Sequence, residues 1–205
     1  MSKGKGVLTG KVRRTLLGVV LFLVAVLLGL GSAWWVLKKA PSFQQMVQVG
    51  AWKTNLLAGS ADAGMYTRAA VALNALLALD RSETMYFMAT QDDAGQGLRS
   101  TCNYRVEGVP PAARWWSVTA YAEDLFLFDA PNQQHSLNGS TAQLDAQGRF
   151  ALQTGPQPEG SAHWLPTPGK QGVVLILRLY NPEPRLQASP ASLVPPTIMR
   201  QGACP

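Results

Sequence analysis

The chain has 205 residues, 47% of them hydrophobic, with 18 Lys and Arg against 12 Asp and Glu and a formal net charge of +6. Seven of the basic residues (Lys3, Lys5, Lys11, Arg13, Arg14, Lys38, Lys39) fall in the first 39, where there is no acid; the other eleven face twelve acids, a net of −1. The basic character therefore belongs to the N-terminus, which excludes nucleic acid as the partner of the rest.

Thr15–Leu37 is an uncharged run of 23 residues between basic flanks. As a helix it reaches about 35 Å, enough to cross the hydrocarbon core of a bilayer. Gly31-Ser32-Ala33 offers small residues of the kind a signal peptidase accepts, but the apolar stretch is long for a signal peptide. Trp34 and Trp35, followed by Lys38 and Lys39, suit the interfacial belt of an uncleaved anchor. Five of the seven charges precede the run, so the positive-inside rule puts the N-terminus in the cytoplasm and residues 40–205 outside, as in a single-pass plasma-membrane protein. Residues 1–14 are then a basic cytoplasmic segment, 15–37 the transmembrane anchor, and 38–59 a juxtamembrane linker or helix. Residues 60–205 form the domain exported to the periplasmic or extracytoplasmic side. The bilayer is the first expected partner.

Within the exported part, Phe43, Met46, Val47 and Leu57 give a weak helical pattern after Pro41, ended by Gly59-Ser60. A stronger helix follows, with Met65, Ala69, Ala72, Leu73, Leu76 and Leu77 on one stripe expected in the domain core. Strands are predicted at 84–90, 102–107, 114–121, 125–128, 149–154 and 173–180. Turn signals separate them, among them Asp92-Asp93-Ala94-Gly95, Gly108-Val109-Pro110-Pro111 and Asn138-Gly139. The fold class is mainly β with N-terminal helices: a jelly-roll-like antiparallel sandwich behind a single transmembrane helix. Residues 181–205 hold six prolines and should run as an extended tail along the domain. An oxidising compartment favours a structural disulfide between the two cysteines, Cys102 and Cys204, which would pin that tail.

Two strands define a face. Val173, Leu175, Leu177 and Leu179 alternate with Val174, Ile176, Arg178 and Tyr180, while Trp116, Val118 and Ala120 alternate with Trp115, Ser117, Thr119 and Tyr121. The first set in each strand is core. The second sets offer aromatic walls, hydroxyls and one guanidinium, which suits a groove for a glycan or small ligand better than a reaction centre. Arg178, Tyr180, Ser117, Thr119 and Tyr121 are thus candidate ligand-binding residues. His163, in the loop before Trp164, joins them as a side chain that can hydrogen-bond a ligand or titrate near neutrality. The simpler reading pairs Arg178 with an acid and the hydroxyls with backbone.

Tyr66-Thr67-Arg68-Ala69, Tyr86-Phe87, Asp92-Asp93-Ala94-Gly95, Trp116-Ser117-Val118-Thr119-Ala120-Tyr121, Trp164-Leu165-Pro166 and Arg178-Leu179-Tyr180-Asn181-Pro182 occur in that order. In series they resemble the bacterial domain-of-unknown-function family numbered 1214, over roughly residues 60–200. The resemblance implies a jelly-roll-like sandwich and a Gram-negative envelope, and with it an inner-membrane anchor and a periplasmic domain. It also implies a link to a second uncharacterised family, numbered 1254, which often forms the N-terminal half of such proteins. Here an anchor stands in that place, so a separate companion protein is expected. The family usually has Asn before Trp-Leu-Pro, where this chain has His163. It brings no established catalytic residues.

Enzyme readings lack equipment. Two histidines, His135 and His163, with no HxH, HExxH or CxxC spacing, point to no metal site, and no motif calls for a cofactor. There is no GxSxG elbow or phosphate loop. Neighbouring residues on extended chain point apart, so Glu123-Asp124 makes a poor carboxylate pair for glycoside hydrolysis, and Asp92-Asp93 sits in a turn. The leading expectation is an envelope-facing interaction or ligand-binding module working with a companion protein. The alternative is a glycan- or lipid-modifying enzyme built on Arg178, His163, Tyr121 and Asp92. A sensor would need a cytoplasmic output that the short basic segment does not supply.

Overall fold

The computed structural model describes residues 10–39, 46–73, 78–158, 160–169 and 171–204. The expectations placed on Lys3, Lys5, Pro41, Phe43, Leu76 and Leu77 lie outside the described residues. The chain divides into two compact units, Met1–Phe43 and Gln44–Pro205.

In the first unit, α1 (Gly10–Lys39) is one uninterrupted helix of 30 residues. Its segment Val12–Val36, 25 residues, is long and apolar enough to cross a membrane. Its apolar side chains are exposed, Phe22 and Leu28 by 68% each, so this surface requires an apolar environment to cover it.

The second unit is a two-sheet sandwich. Its strands are β1 (Met46–Val49), β2 (Trp52–Asn55), β3 (Thr84–Ala89), β4 (Asn103–Gly108), β5 (Ala113–Ala122), β6 (Ser136–Asn138), β7 (Phe150–Gly155), β8 (Trp164–Pro166), β9 (Val173–Pro182) and β10 (Thr197–Gln201). The six-stranded sheet runs β1-β2-β3-β9-β5-β6 and the four-stranded sheet β10-β4-β7-β8. All pairings are antiparallel except β7 with β8.

The two long central strands follow their alternation. Val173, Leu175, Leu177 and Leu179 of β9, with Trp116, Val118 and Ala120 of β5, point into one core shared with Tyr104, Val106, Phe150, Leu152 and Ile198 of the other sheet. Trp116 stacks on Phe150 across the core, with ring centroids 4.5 Å apart.

Residues 46–55 form a hairpin rather than the expected helix. Val49 pairs with Trp52, which leaves Gly50-Ala51 as a two-residue turn, and Gly50 supplies the positive φ of 60° that such turns need. Trp52 is fully buried and its indole donates to the Pro196 carbonyl at 2.7 Å. Tertiary burial of one aromatic ring thus overrides a weak helical spacing.

The stronger helix exists as α2 (Met65–Leu73), but two members of its stripe, Met65 and Ala72, are not core. Met65 is 84% exposed and Ala72 is exposed, whereas Thr67 is buried, at 3%. Residues 125–128 are not a strand. Leu127 alone bridges to Tyr121, after Leu125 takes a φ of 66°.

The C-terminal segment lies along the domain as expected, but it is structured. It contains a short helix, α3 (Pro184–Ala188), a single 3-10 turn at Pro190–Ser192, and β10 paired along β4. Cys102 and Cys204 are joined in a disulfide, with Cα atoms 4.8 Å apart.

Candidate functional site

Register builds the candidate face. Residues directly opposite in an antiparallel pair point to the same side of the sheet. Tyr86 of β3 and Ser117 of β5 both pair with Arg178 of β9, and Asn138 of β6 pairs with Ser117. Tyr86, Arg178, Ser117 and Asn138 therefore form one row across four strands. Thr84, Tyr180 and Trp115 form the next row, and Thr119 beside Ile176 starts a third. Five predicted residues, Arg178, Tyr180, Ser117, Thr119 and Tyr121, share this outer face of the six-stranded sheet.

Arg178 is half-buried and its guanidinium reaches along β5. Nη2 donates to the Tyr121 hydroxyl at 2.8 Å and Nη1 to Thr119 Oγ1 at 3.4 Å, while Cζ lies 5.3 Å from the centre of the Tyr121 ring. This combines hydrogen bonding with a cation–π contact. Two ion pairs occur among the described residues, both to Glu107, and neither involves Arg178. The expected acidic partner is thus replaced by two hydroxyls and a ring. Tyr180 packs edge-on against Trp115, centroids 5.1 Å apart. Ser117 and Thr119 are 5% and 6% exposed, and Thr84 Oγ1 is buried without a hydrogen-bond partner among the described residues. These hydroxyls are buried, so the part of the face open to a partner is Tyr86, Trp115, Tyr121, Arg178 and Tyr180, each partly exposed.

The other predicted residues lie elsewhere. His163 precedes β8 at the far edge of the four-stranded sheet, where Nε2 accepts the Gln143 N–H at 3.1 Å and its carbonyl accepts the Gln153 N–H at 2.9 Å. It is a loop clamp there and does not join the Arg178 face. Asp92 is 4% exposed because it organises the turn after β3: Oδ1 accepts the N–H groups of Ala94 and Gln96. The four residues of the enzyme alternative are not assembled, since only Arg178 and Tyr121 touch. Among the described residues no group of His, Cys, Asp and Glu has the geometry to hold a metal ion.

Tyr86, Asn138 and Thr84 are read from the sequence as strand, turn and motif residues but not as members of the site. Alternation in Thr84-Met85-Tyr86 puts Tyr86 and Thr84 opposite the core, but only the register with β9 sets them beside Arg178 and Tyr180.

A β-sandwich with a polar, aromatic outer sheet face, in a chain that also carries a membrane-length apolar helix, defines the class. Residues 83–184 match the family described as "Protein of unknown function (DUF1214)", and this segment belongs to that family. It contains β3 through β9 and hence the whole Arg178 row. No curated protein matches the chain. Among solved structures, the VPA0106 protein from Vibrio parahaemolyticus is similar with a TM-score of 0.57 and 23% identity, covering 70% of this chain and 37% of that one. That likeness concerns the fold. An uncharacterized protein from Burkholderia cenocepacia matches with a TM-score of 0.43 and 16% identity, over 59% of this chain and 30% of its own length. The chain thus spans well under half the length of either relative.

Proposed function

We propose that this protein is a membrane-anchored, envelope-facing interaction module whose companion protein docks on the outer face of the six-stranded sheet. In this reading α1 is an uncleaved anchor, the N-terminus is cytoplasmic, and residues 40–205 are periplasmic. The observation that carries the reading is Arg178: a half-buried guanidinium held by hydroxyls and a ring, with no carboxylate partner among the described residues. Desolvating a cation without a counter-charge is costly, and an incoming anionic or carbonyl-rich partner surface would offset that cost. The aromatic pair Trp115–Tyr180 beside it is the residue type that anchors interfaces.

Affinity purification of the full-length protein from gently solubilised membranes should recover a stoichiometric companion. Arg178→Ala should lower that recovery by roughly tenfold in affinity, the loss typical of a charged hydrogen-bonding group, with the thermal melt unchanged. A solitary protein, or a companion retained equally by Arg178→Ala, overturns the proposal. Periplasmic labelling that misses residues 40–205 overturns the topology.

A further inference from the structure

A second site lies away from the Arg178 face. A cleft of about 670 Å³ is lined by Gly97, Arg99, Thr101, Glu123, Gln171 and Gly172, a volume within the usual range for small-molecule sites. It is built where two loops are clipped together. Arg99 bridges to Gly172, the fully buried Ser100 hydroxyl donates to the Gly169 carbonyl at 2.7 Å, and the same oxygen accepts the Gln171 N–H at 3.0 Å. The Tyr104 hydroxyl accepts the Arg99 N–H at 2.9 Å, so the backbone under the guanidinium is fixed from the core.

The opposite charge comes from the turn after β5. Glu123 lies over Gly172, with Oε2 2.9 Å from where a Cβ on that glycine would stand. The glycine leaves the carboxylate its place. Two residues on, Leu125 holds a φ of 66°, a conformation costly for a bulky side chain. It is fixed by hydrogen bonds from its N–H to the Ala122 carbonyl and from the Ala122 N–H to the Phe126 carbonyl, both 2.9 Å. One cleft thus carries a guanidinium and a carboxylate on pinned backbone, and the two do not pair with each other or with another charge among the described residues.

We propose that this cleft binds a small zwitterion, its primary ammonium on Glu123 and its oxyanion on Arg99. Both side chains are exposed, so a ligand carrying both charges gains a charge-assisted contact at each wall, whereas a singly charged one gains only one. Two sources share this chemistry: the ends of a short peptide, and an ethanolamine phosphate of the kind found in lipid headgroups.

The test is calorimetric titration of the full-length protein in an uncharged maltoside detergent with glycylglycine and, separately, O-phosphoethanolamine. At least one should bind saturably, and more tightly than ethylamine or inorganic phosphate. Both Arg99→Gln and Glu123→Gln should weaken it by about tenfold or more, the loss expected for one charge-assisted contact. Gly172→Ala, which displaces the carboxylate without removing a charge, should weaken it too. Arg185→Gln, which removes an exposed cation outside the cleft, should bind as the parent does. Which zwitterion binds identifies the source. Failure of both to bind, binding no tighter than the singly charged controls, or binding retained in the two charge variants overturns the proposal.

Discussion

Tyr104 shows how one buried hydroxyl couples the core to the surface. Its ring is 2% exposed between the sheets, and its oxygen accepts the Arg99 N–H. Burial pushes the phenol above its ordinary range and the Asp92 carboxylate adds to that, while the Arg99 N–H and the Arg200 and Arg99 charges oppose it. A tyrosine raised in the folded state resists ionisation after the unfolded chain has already lost its proton. Its contribution is therefore complete below the ordinary tyrosine pKa of about 10 and is lost as pH rises through the folded value. Urea unfolding between about pH 8 and 11 should show stability falling with pH. Tyr104→Phe should make that fall shallower, while costing about 1 kcal/mol near neutrality for the lost acceptor. An unchanged alkaline slope in the variant would refute this role.

At the scale of elements, Gly155 closes β7 where three segments meet. A Cβ there would collide with Asn103 Oδ1 and stand 2.8 Å from the Asn103 Cα, and backbone at that point cannot yield cheaply. The Gly155 carbonyl also accepts Trp164 Nε1 at 3.0 Å and the Thr167 N–H at 3.1 Å, which seats β8 on β7. Gly155→Ala should cost about 1–3 kcal/mol, the range for forced overpacking, read as a lower urea midpoint at constant m-value. A shift within error would mean that Asn103 and the start of β4 give way instead. How legible such elements are depends on length and locality. β5 and β9, ten residues each, are readable where side chains alternate, at Trp116–Tyr121 and Leu177–Tyr180, and with them Arg178, Thr119 and Tyr121. β8 has three residues and β10 pairs with β4 some ninety positions away, as in Thr197 opposite Glu107, so neither carries a local period to detect. Met46 and Val47 sit at helical spacing from Phe43 by composition, yet Trp52 needs the hairpin to reach the core. Tyr86 and Asn138 joined the candidate face through register, and Arg99 met Glu123 through a bridge from residue 99 to 172; both are long-range facts that spacing does not encode.

Over the whole molecule, the Cys102–Cys204 bond closes the second unit on itself. Its sequence separation is 102, and it fastens the end of β10 to the start of β4, the strand it pairs with. Without the bond, β10 remains an edge strand whose hold depends on Ile198 in the core, the Trp52 indole on the Pro196 carbonyl, and its ladder with β4. Those contacts persist on reduction, so the folded state changes little and the effect falls on the unfolded chain. For a loop of this size the chain-entropy treatment gives on the order of 4–5 kcal/mol. The double variant Cys102→Ser/Cys204→Ser should therefore melt on the order of 10 °C lower, with a higher m-value as its unfolded chain expands. Dithiothreitol should bring the parent to the same curve and leave the variant unmoved. The bond also reports on topology, because a structural disulfide persists in an oxidising compartment and not in a reducing one. Thiols trapped by alkylation in intact cells should be absent from the parent before reduction. Their presence in stoichiometric amounts would mean that this unit resides on the reducing side, and the envelope-facing orientation would fall with it.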